Sequence, residues 1–135
     1  MKSKHFRIEE LVDQYTFMTR GTRAWELLDP QLLSLIDRIK EKFPMGSMTI
    51  NNWLWHGTRT ESGLRNANSS NYSKHSQHSL GKAIDAVFSS YTAEEVRKYM
   101  LANLEEFPEL RGLETGVNWL HVDVRNRDDL LKFTA

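Results

Sequence analysis

The stretch Ser76-Gln77-His78-Ser79-Leu80-Gly81-Lys82-Ala83-Ile84-Asp85 decides how the chain is interpreted, together with Trp119-Leu120-His121-Val122-Asp123 further along. Two imidazoles and a carboxylate are groups that bind zinc, and a catalytic zinc site uses three protein ligands and keeps one position open for water. The chain has no cysteine, so a structural zinc site built from thiolates is excluded. The pattern therefore predicts an open metal site formed by His78, Asp85 and His121.

Three segments are predicted to be strands. Residues 119–125 alternate strictly, so one face is apolar and the other carries Trp119, His121, Asp123 and Arg125. Residues 83–88 are apolar on both faces apart from Asp85, which could meet that polar row from a neighbouring strand. Residues 48–55 are rich in β-branched and aromatic side chains and are predicted as the third strand.

Two helices carry clear start and stop signals. Asp29-Pro30 suits an N-cap and a first helical position, and apolar residues recur at helical spacing up to Phe43. Thr92-Ala93-Glu94-Glu95 is a capping box, and Pro108 ends the element. The predicted apolar face of this second helix is Val96, Tyr99, Met100, Leu104 and Phe107. A short helix is also predicted around residues 8–15, which gives a single α+β domain over residues 1–135 with helices packed on a small antiparallel sheet.

A long polar segment, residues 57–80, separates the first two predicted strands. Loops of this length in a single domain are more often functional than idle. His78 stands near the end of the segment, where a rigid strand can hold a ligand that still reaches solvent. His5, His56 and His75 have no partners at ligand spacing.

The charge balance narrows the range of partners. The 18 basic residues equal the 18 acidic ones, so no global field favours nucleic acid or an anionic membrane, and a metal-dependent nuclease is disfavoured. No run approaches the ~18 apolar residues of a membrane span, and no apolar segment of a secretory signal follows the N-terminus. We expect a monomer made in the cytoplasm, without membrane or nucleic-acid partners.

The spaced motifs Ser-x-His-x-x-Gly-x-Ala-x-Asp, at 76–85, and Trp-x-His-x-Asp, at 119–123, resemble those of the zinc D-Ala-D-Ala carboxypeptidase family. That superfamily includes phage endolysins, peptidoglycan endopeptidases and the zinc domain of hedgehog proteins. The start of the chain, residues 5–12, resembles the family's N-terminal segment, and Ser62-Gly63-Leu64-Arg65 resembles its Ser-Gly-Tyr-Arg motif. The resemblance covers most of the chain and implies a hedgehog-type zinc peptidase fold.

By this resemblance, one zinc ion is held by His78, Asp85 and His121, and the substrate is a peptidoglycan peptide containing D-amino acids. Arg65 is the candidate for a substrate carboxylate, because the family uses an arginine at this motif and a guanidinium binds carboxylates in pairs of hydrogen bonds. Arg59 is a nearby alternative, and Trp119 is expected to touch substrate because it shares a face with His121.

The resemblance is incomplete at the general base. Many family members have a glutamate three residues before the last histidine, where this chain has Asn118, and others have a histidine at the position of Gly116. Glu114 is the nearest upstream carboxylate and is one candidate. Asp123 is the other, either as the base or as the carboxylate that orients His121.

The resemblance leaves two functions open. The first is a zinc peptidoglycan peptidase, either carboxypeptidase or endopeptidase, phage or prophage encoded and reaching the wall by phage-type release. The second is a zinc-binding protein of the same fold without catalysis, such as a virion component or an interaction module, which the replacement of glutamate by Asn118 favours.

Overall fold

The computed structural model describes residues 1–69 and 72–134. Residues 70 and 71 of the predicted long loop, and residue 135 of the predicted domain, lie outside these ranges. The described chain combines helices with one five-stranded sheet, so the predicted α+β class is confirmed.

The sheet has the strand order β1-β2-β4-β3-β5. Its strands are β1 (Met48–Thr49), β2 (Ala83–Phe88), β3 (Gly112–Thr115), β4 (Leu120–Asp123) and β5 (Leu131–Thr134). Pairing is antiparallel except between β3 and β5, which run parallel. The prediction of an antiparallel sheet is therefore wrong at this edge. The sequence gives little sign of β5, because its alternating residues are only half-buried or exposed.

The helices are α1 (Gln14–Arg20), α2 (Pro30–Lys42) and α3 (Ala93–Ala102). Short 3-10 segments lie at Ile8–Glu10, Gly21–Leu27, Trp53–Trp55 and Leu104–Glu106. The start of α2 is as predicted, with the Asp29 side chain accepting a hydrogen bond from the backbone N–H of Gln31. The predicted helix around 8–15 is misplaced, because Asp13 caps a later helix by accepting from the N–H of Thr16.

The second predicted helix is shorter than expected. Its N-terminus is confirmed, since Thr92 Oγ1 accepts from the N–H of Glu95 at 3.0 Å. It ends at Ala102, and Asn103 turns its side chain back to donate to the carbonyl of Tyr99. Leu104 is consequently exposed, whereas Phe107 still reaches the core.

The predicted strand over residues 48–55 is wrong beyond Thr49. The backbone N–H of Asn51 donates to the Glu10 carbonyl, and the indole of Trp53 donates to the Val12 carbonyl. These bonds attach the segment to the N-terminal part of the chain instead of to a neighbouring strand. Aromatic content predicted a strand here, but β-propensity depends on which surface the side chains find.

The two faces of the sheet have different roles. One face contributes Ile84, Ala86, Leu113, Leu120 and Val122 to the hydrophobic core that the helices complete. The other face carries Asp85, His121 and Asp123, in the alternation predicted for β4. None of the helices within the described ranges is long and apolar enough to cross a membrane.

Candidate metal centre

His78, Asp85 and His121 come together at one point on the polar face of the sheet. One potential ligand atom from each lies within 4.8 Å of the other two. Asp85 on β2 and His121 on β4 are paired across neighbouring strands, and His78 reaches them from the loop that precedes β2. In residues 1–69 and 72–134 this is the one such group of histidine and acidic side chains.

The ring of His78 is fixed by the backbone. Its Nδ1 lies 3.1 Å from the carbonyl oxygen of Gly63, which can only accept, so Nδ1 carries the proton. Nε2, the other ring nitrogen, lies 3.3 Å from Asp85 Oδ1 and is the one that a metal ion would bind. Gly63 can present this carbonyl because it has no side chain, since a Cβ there would lie 2.1 Å from the Leu11 carbonyl oxygen.

The ring of His121 lies between two carboxylates. Nδ1 is 2.9 Å from Asp85 Oδ1, and Nε2 is 2.8 Å from Asp123 Oδ2. Asp123 is fully buried and also accepts hydrogen bonds from the guanidinium of Arg125 at 2.7 and 2.6 Å. With Asp123 holding the proton of Nε2, Nδ1 would face the same point as Nε2 of His78 once it loses its own proton, which is how carboxylates orient metal-binding imidazoles.

A glycine on β3 leaves room for the Asp123 carboxylate, which holds the ring of His121. Gly112 is paired with Asp123 across β3 and β4, and a Cβ on Gly112 would lie 2.1 Å from the Asp123 carboxylate. Gly81, in the loop before β2, has φ +70 and passes the Leu27 carbonyl, 1.9 Å from where its Cβ would be. Both glycines serve close packing around the site.

Charge in the metal-free chain is balanced by a proton on His121. Burial alone would lower the pKa of His121, but hydrogen bonds to Asp123 and Asp85 outweigh it and raise this pKa to about 9. Burial raises the pKa of Asp123, and its bonds to Arg125 and His121 reverse this and bring it to about 2. The pKa of Asp85 is likewise held well below its usual range, against burial, by the two histidines. A divalent ion would therefore replace the proton on His121.

This charge balance predicts a titration in the metal-free chain. We expect His121 to titrate near pH 9 in the wild type, and at a lower pH when Asp123 is replaced by asparagine, because only Asp85 then offsets burial. Because the pKa of His121 is higher in the folded chain than in the unfolded chain, the proton on His121 stabilises the fold. This stabilisation is complete below pH ~6.5 and is lost as pH rises through about 9. NMR titration of the histidine ring protons measures it, and a wild-type midpoint near 6.5 would contradict the arrangement.

The two candidate arginines differ in how closely they approach Asp85. Arg65 places Nη2 3.5 Å from Asp85 Oδ2 while its Nε donates to the carbonyl of Glu61. Arg59 donates from Nε to the carbonyl of Ile50. Burial lowers the pKa of Arg59, and the Asp85 carboxylate partly offsets that decrease. The structure thus brings Arg65 to the edge of the metal centre, whereas Arg59 is influenced by the charge of Asp85 without an ion pair to it in the described chain.

Glu114 and Trp119 also lie on the polar face. The β3–β4 register pairs Leu113 with Val122, and its continuation puts Glu114 next to His121. The Glu114 carboxylate is largely buried and accepts a hydrogen bond from the indole Nε1 of Trp119 at 3.3 Å. Unlike Asp123, Glu114 has no arginine on its carboxylate in the described part of the chain.

Two side chains at the site were not predicted from the sequence. Phe133 of β5 packs edge-on against the His121 ring, with centroids 5.4 Å apart. Arg97 of α3 is buried and donates to the carbonyls of Glu114, Val117 and Trp119. The sequence does give one sign of the buried Arg97, which is a charged residue between Val96 and Met100 of the predicted apolar helix face.

The other polar residues of the loop have simpler surroundings. Ser76 Oγ accepts from the backbone N–H of His78, and the buried Oε1 of Gln77 has no partner in the described chain. His5 pairs with Glu41 far from the metal centre, and His75 is exposed. Asn118 is exposed in the turn before β4 and is not part of the metal group.

Comparisons of the chain with known protein families, with curated proteins and with solved structures found no match.

Proposed function

We propose that the chain is a zinc-dependent peptidase that hydrolyses a peptidoglycan peptide bond involving D-amino acids. The observation that carries the proposal is the convergence of two imidazole nitrogens and a carboxylate, with the far nitrogen of each imidazole held by Gly63 or Asp123. The sequence resemblance to zinc D-Ala-D-Ala carboxypeptidases supplies the substrate class.

The donor set suits zinc. Zinc takes histidine nitrogen and carboxylate oxygen, and catalytic zinc sites use three such ligands. His78 Nε2, Asp85 Oδ1 and His121 Nδ1 would hold the ion. When bound, zinc polarises a carbonyl and lowers the pKa of a bound water.

Glu114 would be the general base. Its carboxylate lies on the strand next to His121 and is not occupied by a cation, so it can take the proton of the attacking water and pass it to the leaving amine. Asp123 would orient His121, because Arg125 and His121 already use both of its oxygens. Arg65 and Arg59 would bind a substrate carboxylate, and Trp119 would form a wall of the site.

The second candidate function is metal binding without hydrolysis. Asn118 favours it, because many members of the family that the sequence resembles have their general-base glutamate at this position. In the structure Asn118 is exposed and is not part of the metal group. The two candidates share the metal centre and differ only in whether Glu114 supplies the missing base.

One experiment separates the two functions. The chain is stripped with a chelator, reloaded with one equivalent of zinc, and incubated with peptidoglycan of several chemistries, with products identified by mass spectrometry. We expect cleavage that disappears in His78→Ala and persists in His75→Ala, an exposed histidine close by. Bound zinc without cleavage of any wall type would reject the peptidase and favour the binding protein.

A further inference from the structure

A polar cleft of about 630 Å³ lies beside the metal centre. Arg65 belongs to both, since it contacts Asp85 and also lines the cleft. Ser79, the residue after His78, lines the cleft as well. We call it the arginine cleft, and its chemically important lining residues are Tyr15, Arg20, Arg23, Arg65, Tyr72 and Ser79.

Positive charge is concentrated in the arginine cleft. Its lining includes three arginines and no aspartate or glutamate, although the chain as a whole has a net charge of zero. Five arginines outside the cleft are paired with carboxylates in the described chain, as Arg38 is with Glu109. The described residues give the guanidinium groups of Arg20 and Arg23 no hydrogen-bond or ion-pair partner, so both are available to an anion.

The wall next to the metal centre offers a further polar group. Ser79 Oγ is buried and has no hydrogen-bond partner in the described chain. A buried hydroxyl without a partner costs stability, which makes a ligand a reasonable partner for it. The arginine cleft therefore has a hydroxyl at the metal end and two free guanidinium groups from the α1 end.

We infer that the arginine cleft binds the carboxylates of an acidic peptide and holds it beside the metal centre. A guanidinium group matches a carboxylate through two parallel hydrogen bonds, and Arg65 connects the cleft to Asp85. The link to cleavage rests on the proposed function, because the bound peptide would be the part of the substrate next to the scissile bond. Binding itself does not depend on that function.

The test measures binding to the zinc-free chain of residues 1–135 by calorimetry. The probe is N-acetyl-L-alanyl-γ-D-glutamyl-L-lysine with two free carboxylates, compared with the same peptide amidated at both. We expect amidation to weaken binding at least about 10-fold, and the double variant Arg20→Gln/Arg23→Gln to weaken it as much. The matched control Lys98→Gln/Lys132→Gln removes two exposed charges outside the cleft and leaves binding unchanged.

Ser79→Ala provides a variant that does not threaten folding, because Ser79 Oγ has no partner to lose. We expect it to weaken probe binding severalfold with no loss of thermal stability. Equal affinity for the amidated peptide, no effect of the double arginine variant, or tighter binding of a glycerol phosphate oligomer of equal charge would each overturn the inference. Probe binding that depends on Arg20 and Arg23, in a chain that cuts no peptidoglycan, would reject the peptidase and leave the arginine cleft supported.

Discussion

Replacing Glu114 by glutamine is expected to reduce peptide hydrolysis by about 10²- to 10⁴-fold, the usual contribution of a positioned base. Glutamine keeps the oxygen that accepts from the Trp119 indole but cannot take a proton at neutral pH. The structural part of the residue is therefore preserved and only its acid–base chemistry is lost. Steady-state cleavage of a muropeptide, with zinc content measured in parallel, gives the result.

The control for Glu114→Gln is Glu105→Gln, which removes an exposed carboxylate from a 3-10 segment away from the metal centre. It should cleave as the wild type does. A Glu114→Gln variant that binds zinc and retains more than about a tenth of the wild-type rate would assign the base to another group. Asp123 would then need to leave Arg125, since both of its oxygens are engaged in the structure.

Replacing Arg97 by methionine is expected to lower the free energy of unfolding by about 3 kcal/mol. The buried guanidinium donates to the carbonyls of Glu114, Val117 and Trp119, which hold the turn between β3 and β4. Methionine fills much of the same volume but leaves these acceptors without a donor, at about 1–3 kcal/mol for each that stays buried. Urea unfolding of the zinc-free chain at pH 7 measures the change.

Two further variants bracket the Arg97 result. Lys98→Met alters the exposed neighbour on the same helix and should change stability by less than about 0.5 kcal/mol. Arg97→Lys keeps the charge but loses the planar set of guanidinium donors. Its loss in free energy of unfolding should therefore be no larger than that of Arg97→Met. A loss below about 1 kcal/mol in Arg97→Met would mean that water replaces the guanidinium in the turn.

The parts of the molecule that the sequence predicts are those with strong local signals. Asp29 and Thr92 begin helices as predicted because each side chain caps the backbone within a few residues. The grouping of Asp85 with His121 followed from strict alternation on β4 and from a lone carboxylate in an apolar strand. Such signals act over one strand or one helical turn, so they do not depend on distant contacts.

The parts that the sequence does not predict are determined by distant contacts. Residues 50–53 leave the sheet because the backbone near Glu10 and Val12 offers them other partners. The edge strand β5 is too exposed to show an apolar pattern. The arginine cleft brings together α1, the segment after it and the loop before β2, and no spacing along the chain relates Arg20 to Ser79.

The proton shared between His121 and its two carboxylates has a consequence for how this site would take up a metal ion. Domains whose ligands are scattered in the metal-free state, such as zinc fingers, fold only when metal arrives. Here the protonated ring already holds Asp85 and Asp123 at hydrogen-bond distance, so the site is preorganised before any ion enters. Binding of an ion would then exchange one cation for another inside a finished fold, and a chelator would remove that ion without unfolding the chain.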